Sequence, residues 1–242
     1  MKYLKELSGL KLFNRKEVVN ICGSIHNANY ILKSYIDKGY ITRIKKDYFV
    51  INDLVNDTPA ANKNEIACGY GDNDFISHHS VFEYYGLNNQ VYNTIDVTTN
   101  TFKRSFVFDN ILYKYHKSDI SIQVNNLAGI KISSIERAIV DCIKDSTNFE
   151  YYELLECINN INAIDVSKVM KYLEILNNKL LYKKVGFVLE KYKEVFNISD
   201  EFFFECKKRS GNTIGYYNLH AKDSLIFNAK WRLFVYKDME EF

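Results

Sequence analysis

Three short helical patterns followed by a two-strand hairpin open the chain, and its basic excess is confined to that stretch. A polar segment then leads into alternating β-rich and helical runs. These observations predict an α+β protein. The expectation is a winged helix-turn-helix over residues 1–55, then a mixed α/β C-terminal domain over 60–242 with a sheet and a helical bundle part.

In the head, LKELSG reads as a first helix and NRKEVVNIC as a second, with Asn14 as N-cap and Glu17 three residues on. Gly23-Ser24 breaks the pattern. A third helix is expected from Ile25 to Lys38, its apolar stripe being Ala28, Ile31, Leu32, Tyr35 and Ile36, with Gly39 as its stop. The β-rich runs YITRI and YFVI, joined by Lys45-Lys46-Asp47, form the hairpin.

The stretch 52–64, NDLVNDTPAANKN, carries the chain's only proline and reads as a linker. Beyond it, NKNEIACGYG and ISHHSVFEYYGL read as helices. NTIDVTTN, RSFVFD, ILYKYHK and DISIQVNN read as strands, with Asp109-Asn110 as a turn. KISSIERAIVDCIKD is a helix opened by the capping box Ser133-x-x-Glu136, and helices follow at about 150–161, 166–177 and 180–195. IGYYNL and WRLFVY are expected to return to the sheet.

Charge resolved by position points to a partner. The whole chain carries a formal +2, but residues 1–51 hold ten Lys/Arg against four Asp/Glu, a net of +6, and the remainder a net of −4. A basic head with this element order reads as a double-stranded DNA binder. With its stripe packed inward, the third helix leaves His26, Asn27, Asn29, Tyr30 and Lys33 for the major groove; Asn suits adenine and Lys33 suits guanine or phosphate. Arg43, Lys45 and Lys46 at the wing would meet the backbone or an adjacent minor groove. The competing reading is a protein-contact module with a solvated charged face.

Five cysteines at wide spacing, with no C-x-x-C, support neither a zinc ribbon nor a redox motif. No run approaches the roughly 18 apolar residues of a membrane span. The expectation is a cytoplasmic chain with reduced thiols and no membrane partner.

The search for catalysis yields little. His78 and His79 are adjacent and, on a helix, diverge by about 100°. The segment Cys68–Asp74 pairs acids with glycines but lacks the Gly-Ser helix start of a nucleotidyltransferase site. Glu205-x-Lys207 after an apolar run matches many metal-dependent nucleases if it lies on a strand, although Asp96 is remote in sequence. The phosphate-binding and nucleophile-elbow motifs are missing. The expectation is therefore no enzyme, no metal and no cofactor, with a metal-dependent nuclease carrying a winged-helix specificity domain as the alternative.

Four collinear segments carry a resemblance. KSYIDKGYITRIKKDYFVI resembles the wing of the AbiEi-type antitoxin family, with Asp47 where that family has glycine. FISHHSVFEYYGLNNQVYNTIDVTTN is similar to its aromatic-Ile-Ser-x-x-Ser-Ala segment, with Val81 in place of Ala. ISSIERAIVDCI resembles its Glu-Arg-Ala-x-x-Asp helix, with Ser134-Ile135 where Pro often precedes Glu-Arg. NAKWRLFVYKD resembles its terminal Asn-x-x-Trp-x-Leu. The resemblance spans almost the whole chain. It implies an antitoxin of a type IV toxin–antitoxin pair linked to abortive phage infection. Its winged helix would bind inverted repeats in its own promoter and repress it. Residues 60–242 would counter a nucleotidyltransferase toxin without a required stable complex. Of the small basic clusters in that part, Lys103 and Arg104 are one. Lys183, Lys184, Lys207, Lys208 and Arg209 are candidate secondary nucleic-acid contacts, with solvated faces the favoured reading.

Overall fold

A computed structural model describes residues 3–53, 55–145, 148–218 and 225–241. The fold is α+β, with eleven helices and three sheets among those residues. It divides into two compact units, residues 1–80 with 92–132, and residues 81–91 with 133–242.

The first unit begins with α1 (Leu4–Leu10), β1 (Leu12–Asn14), α2 (Arg15–Cys22) and α3 (Ile25–Asp37), followed by β2 (Ile41–Lys45) and β3 (Tyr48–Asp53). The expected signals act as read. The Asn14 side chain accepts from the amides of Lys16 and Glu17, and Glu17 accepts from the Asn14 amide in return. Gly23 ends α2 at φ 77°, and Ser24 caps α3 by accepting from the Asn27 amide. Asp47 turns the hairpin at φ 61°, a left-handed conformation that Asp tolerates. Leu7, Phe13, Val18, Ala28, Leu32, Tyr35, Ile41 and Phe49 close one core, while Ile31 only flanks it and Ile36 is exposed.

The 52–64 stretch does not detach this head. β4 (Thr58–Pro59) pairs antiparallel with β3, and α4 (Lys63–Cys68) carries its own capping box of Asn62 and Glu65. The Tyr48 hydroxyl donates to the Ile66 carbonyl at 3.1 Å, and Gly69 lets the helix end approach: a Cβ there would lie 2.5 Å from that hydroxyl.

The remaining strands of the unit are β5 (Phe75–Ile76), β6 (Thr94–Thr99), β7 (Phe106–Phe108), β8 (Ile111–Lys117), β9 (Val124–Leu127) and β10 (Ile130–Ser133), in the order β7-β8-β6-β5-β10-β9. Asp109 and Asn110, both at positive φ, make the expected β7–β8 turn. Between β5 and β6 the chain forms α5 (His79–Tyr84).

In the second unit, α6 (Ile135–Asp145), α7 (Asn148–Asn159), α8 (Val166–Leu176), α9 (Lys179–Glu190) and α10 (Asp200–Ser210) form the helical part. The cap of α6 is Ser134, whose hydroxyl accepts from the Arg137 amide. Ser133, expected in that role, ends β10 with its hydroxyl buried. Nor does the tail return to the six-stranded sheet. β11 (Gly215–Tyr216), β12 (Leu225–Asn228) and β13 (Leu233–Tyr236) make a separate sheet ordered β11-β13-β12, followed by α11 (Lys237–Glu241). Its partner is α9: the Trp231 ring fills the space over Gly186 where any larger residue would collide.

Candidate nucleic-acid interface

Helix α3 is amphipathic, so burying Ala28, Leu32 and Tyr35 turns the intervening residues outward. His26, Asn27, Asn29, Tyr30 and Lys33 are all exposed, Tyr30 to 70%. Ile25, at the first position of the helix, is 62% exposed and was not among the sequence candidates; a β-branched apolar residue beside a helix cap gave no signal of its own.

The hairpin places Arg43 and Lys46 on the exposed surface. Between α3 and the hairpin lies an open cleft of about 340 Å³, lined by Arg15, Asn29, Lys33, Asp37 and Arg43 together with Leu32, Ile36 and Phe49. Three cations and one carboxylate around a cleft of this size suit an anionic ligand. Arg15, also missed from sequence, ties the cleft together. Its Nη1 donates to Asn29 Oδ1 at 2.9 Å and its Nε pairs with Asp47 Oδ1 at 2.7 Å.

Lys45 departs from the expectation of a wing-tip contact. Its Nζ lies 3.4 Å from the Tyr70 ring centroid, 4.3 Å from that of Phe106 and 4.9 Å from that of Tyr115, so its charge is spent on the face of the six-stranded sheet. Burial and the Lys103 ammonium push its pKa down to about 8, against the pull of Asp74. Lys103 itself is held by the buried Asp74 carboxylate at 2.5 Å from both oxygens, leaving Arg104 as the exposed cation of that pair.

The secondary basic candidates disperse in the same way. Lys183 is buried, 2% exposed, and donates to the Gly211 carbonyl at 3.0 Å, with burial and Arg232 lowering its pKa. Burial also lowers that of Lys184, whose Nζ sits 5.2 Å from the Tyr217 ring. Lys207 is exposed near Trp231, Lys208 pairs with Glu205, and Arg209 pairs with Glu205 and Glu174. The Glu205-x-Lys207 motif lies on helix α10, not on a strand. Residues two apart on a helix diverge by about 200°, so the two cannot share one water, and Glu205 is occupied by Lys208 and Arg209.

The two histidines do not share a helix as expected: α5 begins at His79, and His78 precedes it at φ 52° and belongs to a buried polar network. His78 Nδ1 meets the Ser77 hydroxyl at 2.8 Å, Thr98 donates to Ser77 at 2.8 Å, and the His78 ring stacks on His116 at 3.9 Å. His116 Nε2 lies 2.7 Å from Asp96 Oδ1. Burial raises the Asp96 pKa, but the His116 hydrogen bond and the neighbouring charges of His78 and Lys114 outweigh it and hold the carboxyl below its ordinary range. Ser77 is fully buried, and its backbone amide donates to the Asp96 carbonyl at 3.0 Å, which ties the network to β6.

No family model and no curated protein matches the chain. The crystal structure of the RV2827C protein from Mycobacterium tuberculosis is similar in fold. The TM-score is 0.61 at 7% sequence identity, over 96% of this chain and 90% of that one. At that identity the likeness speaks for the fold alone.

Proposed function

We propose that the chain is a cytoplasmic DNA-binding autorepressor and the antitoxin of a type IV toxin–antitoxin pair. Its head, residues 1–55, is a winged helix-turn-helix that reads inverted repeats in its own promoter. The part from residue 60 counters a nucleotidyltransferase toxin. One observation supports the DNA reading: Asn29 and Lys33 of α3 line an open cleft together with Arg15 and Arg43, and His26, Asn27, Tyr30 and Lys46 are exposed on α3 and the hairpin. In this reading α3 enters the major groove, Ile25 and Tyr30 offer apolar surface to thymine methyls, and the hairpin follows the backbone. The antitoxin half is supported by the four collinear motifs.

Lys46→Ala is expected to weaken binding evenly across sequences and to lower the salt slope by roughly one. Asn27→Ala is expected to relax preference at a single base pair, at roughly 1–3 kcal/mol. Fluorescence anisotropy on the upstream promoter fragment and a scrambled duplex, across a salt series, measures both; equal affinity for the two duplexes overturns the DNA reading. The antitoxin half predicts a nucleotidyltransferase gene adjoining this one, and restored growth when both are expressed. Toxicity that persists despite soluble antitoxin overturns that half.

A further inference from the structure

We propose that the cleft between α3 and the hairpin is a binding site for a nucleoside monophosphate whose base carries an exocyclic amine. Its volume of about 340 Å³ stands at the small end of the roughly 300–1,000 Å³ spanned by small-molecule pockets. Ile36 belongs by spacing to the apolar stripe of α3, yet the core of the head leaves it 39% exposed, where it lines the cleft with the buried Leu32 and Phe49. A duplex backbone offers phosphate and sugar and gains little from such a patch, whereas the face of a base covers it. Binding in the cleft is independent of the DNA reading above; its effect on duplex affinity rests on that reading.

The lining changes character along the helix. Asn29, which accepts from Arg15 Nη1 at 2.9 Å, and Asp37 are eight residues apart on α3, about 12 Å along its axis, with Lys33 midway. Arg15 and Lys33, with Arg43 from the hairpin, supply the cations, and Asp37 supplies an acceptor at the far end. Arg43 Nε donates to the Lys45 carbonyl at 3.3 Å, and its fork has further N–H donors for an oxyanion. Among the described residues Lys33 and Asp37, one turn apart, form no ion pair, the lysine-first order being the weaker one on a helix. A ligand that is only an anion sets negative charge against Asp37, and one that is only a base leaves Lys33 and Arg43 unanswered. A nucleotide meets both: phosphate on the cations, ring face on Ile36, and the exocyclic N–H donating to Asp37. Lys33 and Arg43 are also the cations that the DNA reading gives to the duplex, so nucleotide and duplex compete.

Isothermal titration of the full chain with CMP, UMP, cytidine and inorganic phosphate separates these contributions. CMP is expected to bind about tenfold more tightly than UMP, which has a carbonyl where CMP has the amine, and than cytidine or phosphate alone. Asp37→Asn should narrow the gap between CMP and UMP. Ile36→Ser should weaken both nucleotides alike, and Lys33→Ala or Arg43→Ala should weaken CMP but not cytidine. All four positions are exposed, so the variants are expected to keep the wild-type melting temperature. In an anisotropy assay CMP should displace the promoter duplex from wild type, and less readily from Ile36→Ser. Phosphate binding as tightly as CMP, or CMP binding that neither Asp37→Asn nor Ile36→Ser alters, overturns the proposal. CMP binding by a chain that holds no duplex would instead sink the DNA reading and leave the site standing.

Discussion

Lys45 shows how far residue type alone carries a functional reading. A lysine at a hairpin tip next to Arg43 and Lys46 reads as a phosphate contact, but the pairing register shifts between Arg43 and Lys45, and Lys45 falls on the side facing Tyr70, Phe106 and Tyr115. Nothing local to the hairpin announces those rings, which lie from 25 to 70 residues further along the chain. Lys45→Met is therefore expected to leave the salt slope of DNA binding unchanged, in contrast to Lys46→Ala; a drop of roughly one would restore Lys45 as a phosphate contact. Asp96 behaves similarly, since His116 reaches it only through the parallel β6–β8 pairing. Its depressed pKa means that the stability it contributes is present above the ordinary value of 3.8 and is lost as pH falls through the lower folded-state value. Asp96→Asn should lower the melting temperature near neutral pH and flatten the acid limb of the stability curve. An acid limb identical to wild type would contradict this.

At the scale of elements, legibility follows how local the determinant is. α2 and α3 were readable because caps, glycines and a 3.6-residue stripe all sit within the segment. Asn14→Ala removes the acceptor of two amides and should cost about 1 kcal/mol in chemical denaturation. Unchanged stability would mean that the first turn is held by tertiary contacts instead. By contrast the run Phe202, Phe203 and Phe204 ahead of Glu205 left a strand open there, the condition the nuclease motif needed. Only Cys206 and Ser210, four and eight residues after Phe202, complete a helical face. The motifs behind the family resemblance turn out to be packing devices. Arg137 and Asp141 form a buried pair one turn apart, joined by the Tyr172 hydroxyl at 2.6 Å. Asn228 accepts from the Trp231 amide, and Trp231 Nε1 donates to Glu190. Such residues specify how the second unit folds.

For the whole molecule, the near-neutral total charge conceals a head of +6, and composition around Pro59 suggested that this head is a separate bead. The first compact unit instead runs through residue 80 and takes in 92–132, because the contacts that matter there are non-local. The Ala60 amide donates to the Ile51 carbonyl at 2.8 Å, Lys11 pairs with Glu65 at 2.6 Å, and Tyr48 is fully buried against the end of α4. A polar stretch with a proline is thus a turn that feeds β4 back onto β3, with Val55 exposed in it. A protease site inserted between Asn56 and Asp57 should accordingly give a nicked protein whose two pieces co-elute in native size-exclusion chromatography and keep their promoter affinity. Loop residues there are exposed enough to be cut, while the strand pairing, the buried tyrosine and the lysine cage all bridge the cut from either side. Release of a free head fragment that binds DNA unaided would instead make residues 1–55 an autonomous domain, and the lysine cage no more than a resting place for the hairpin.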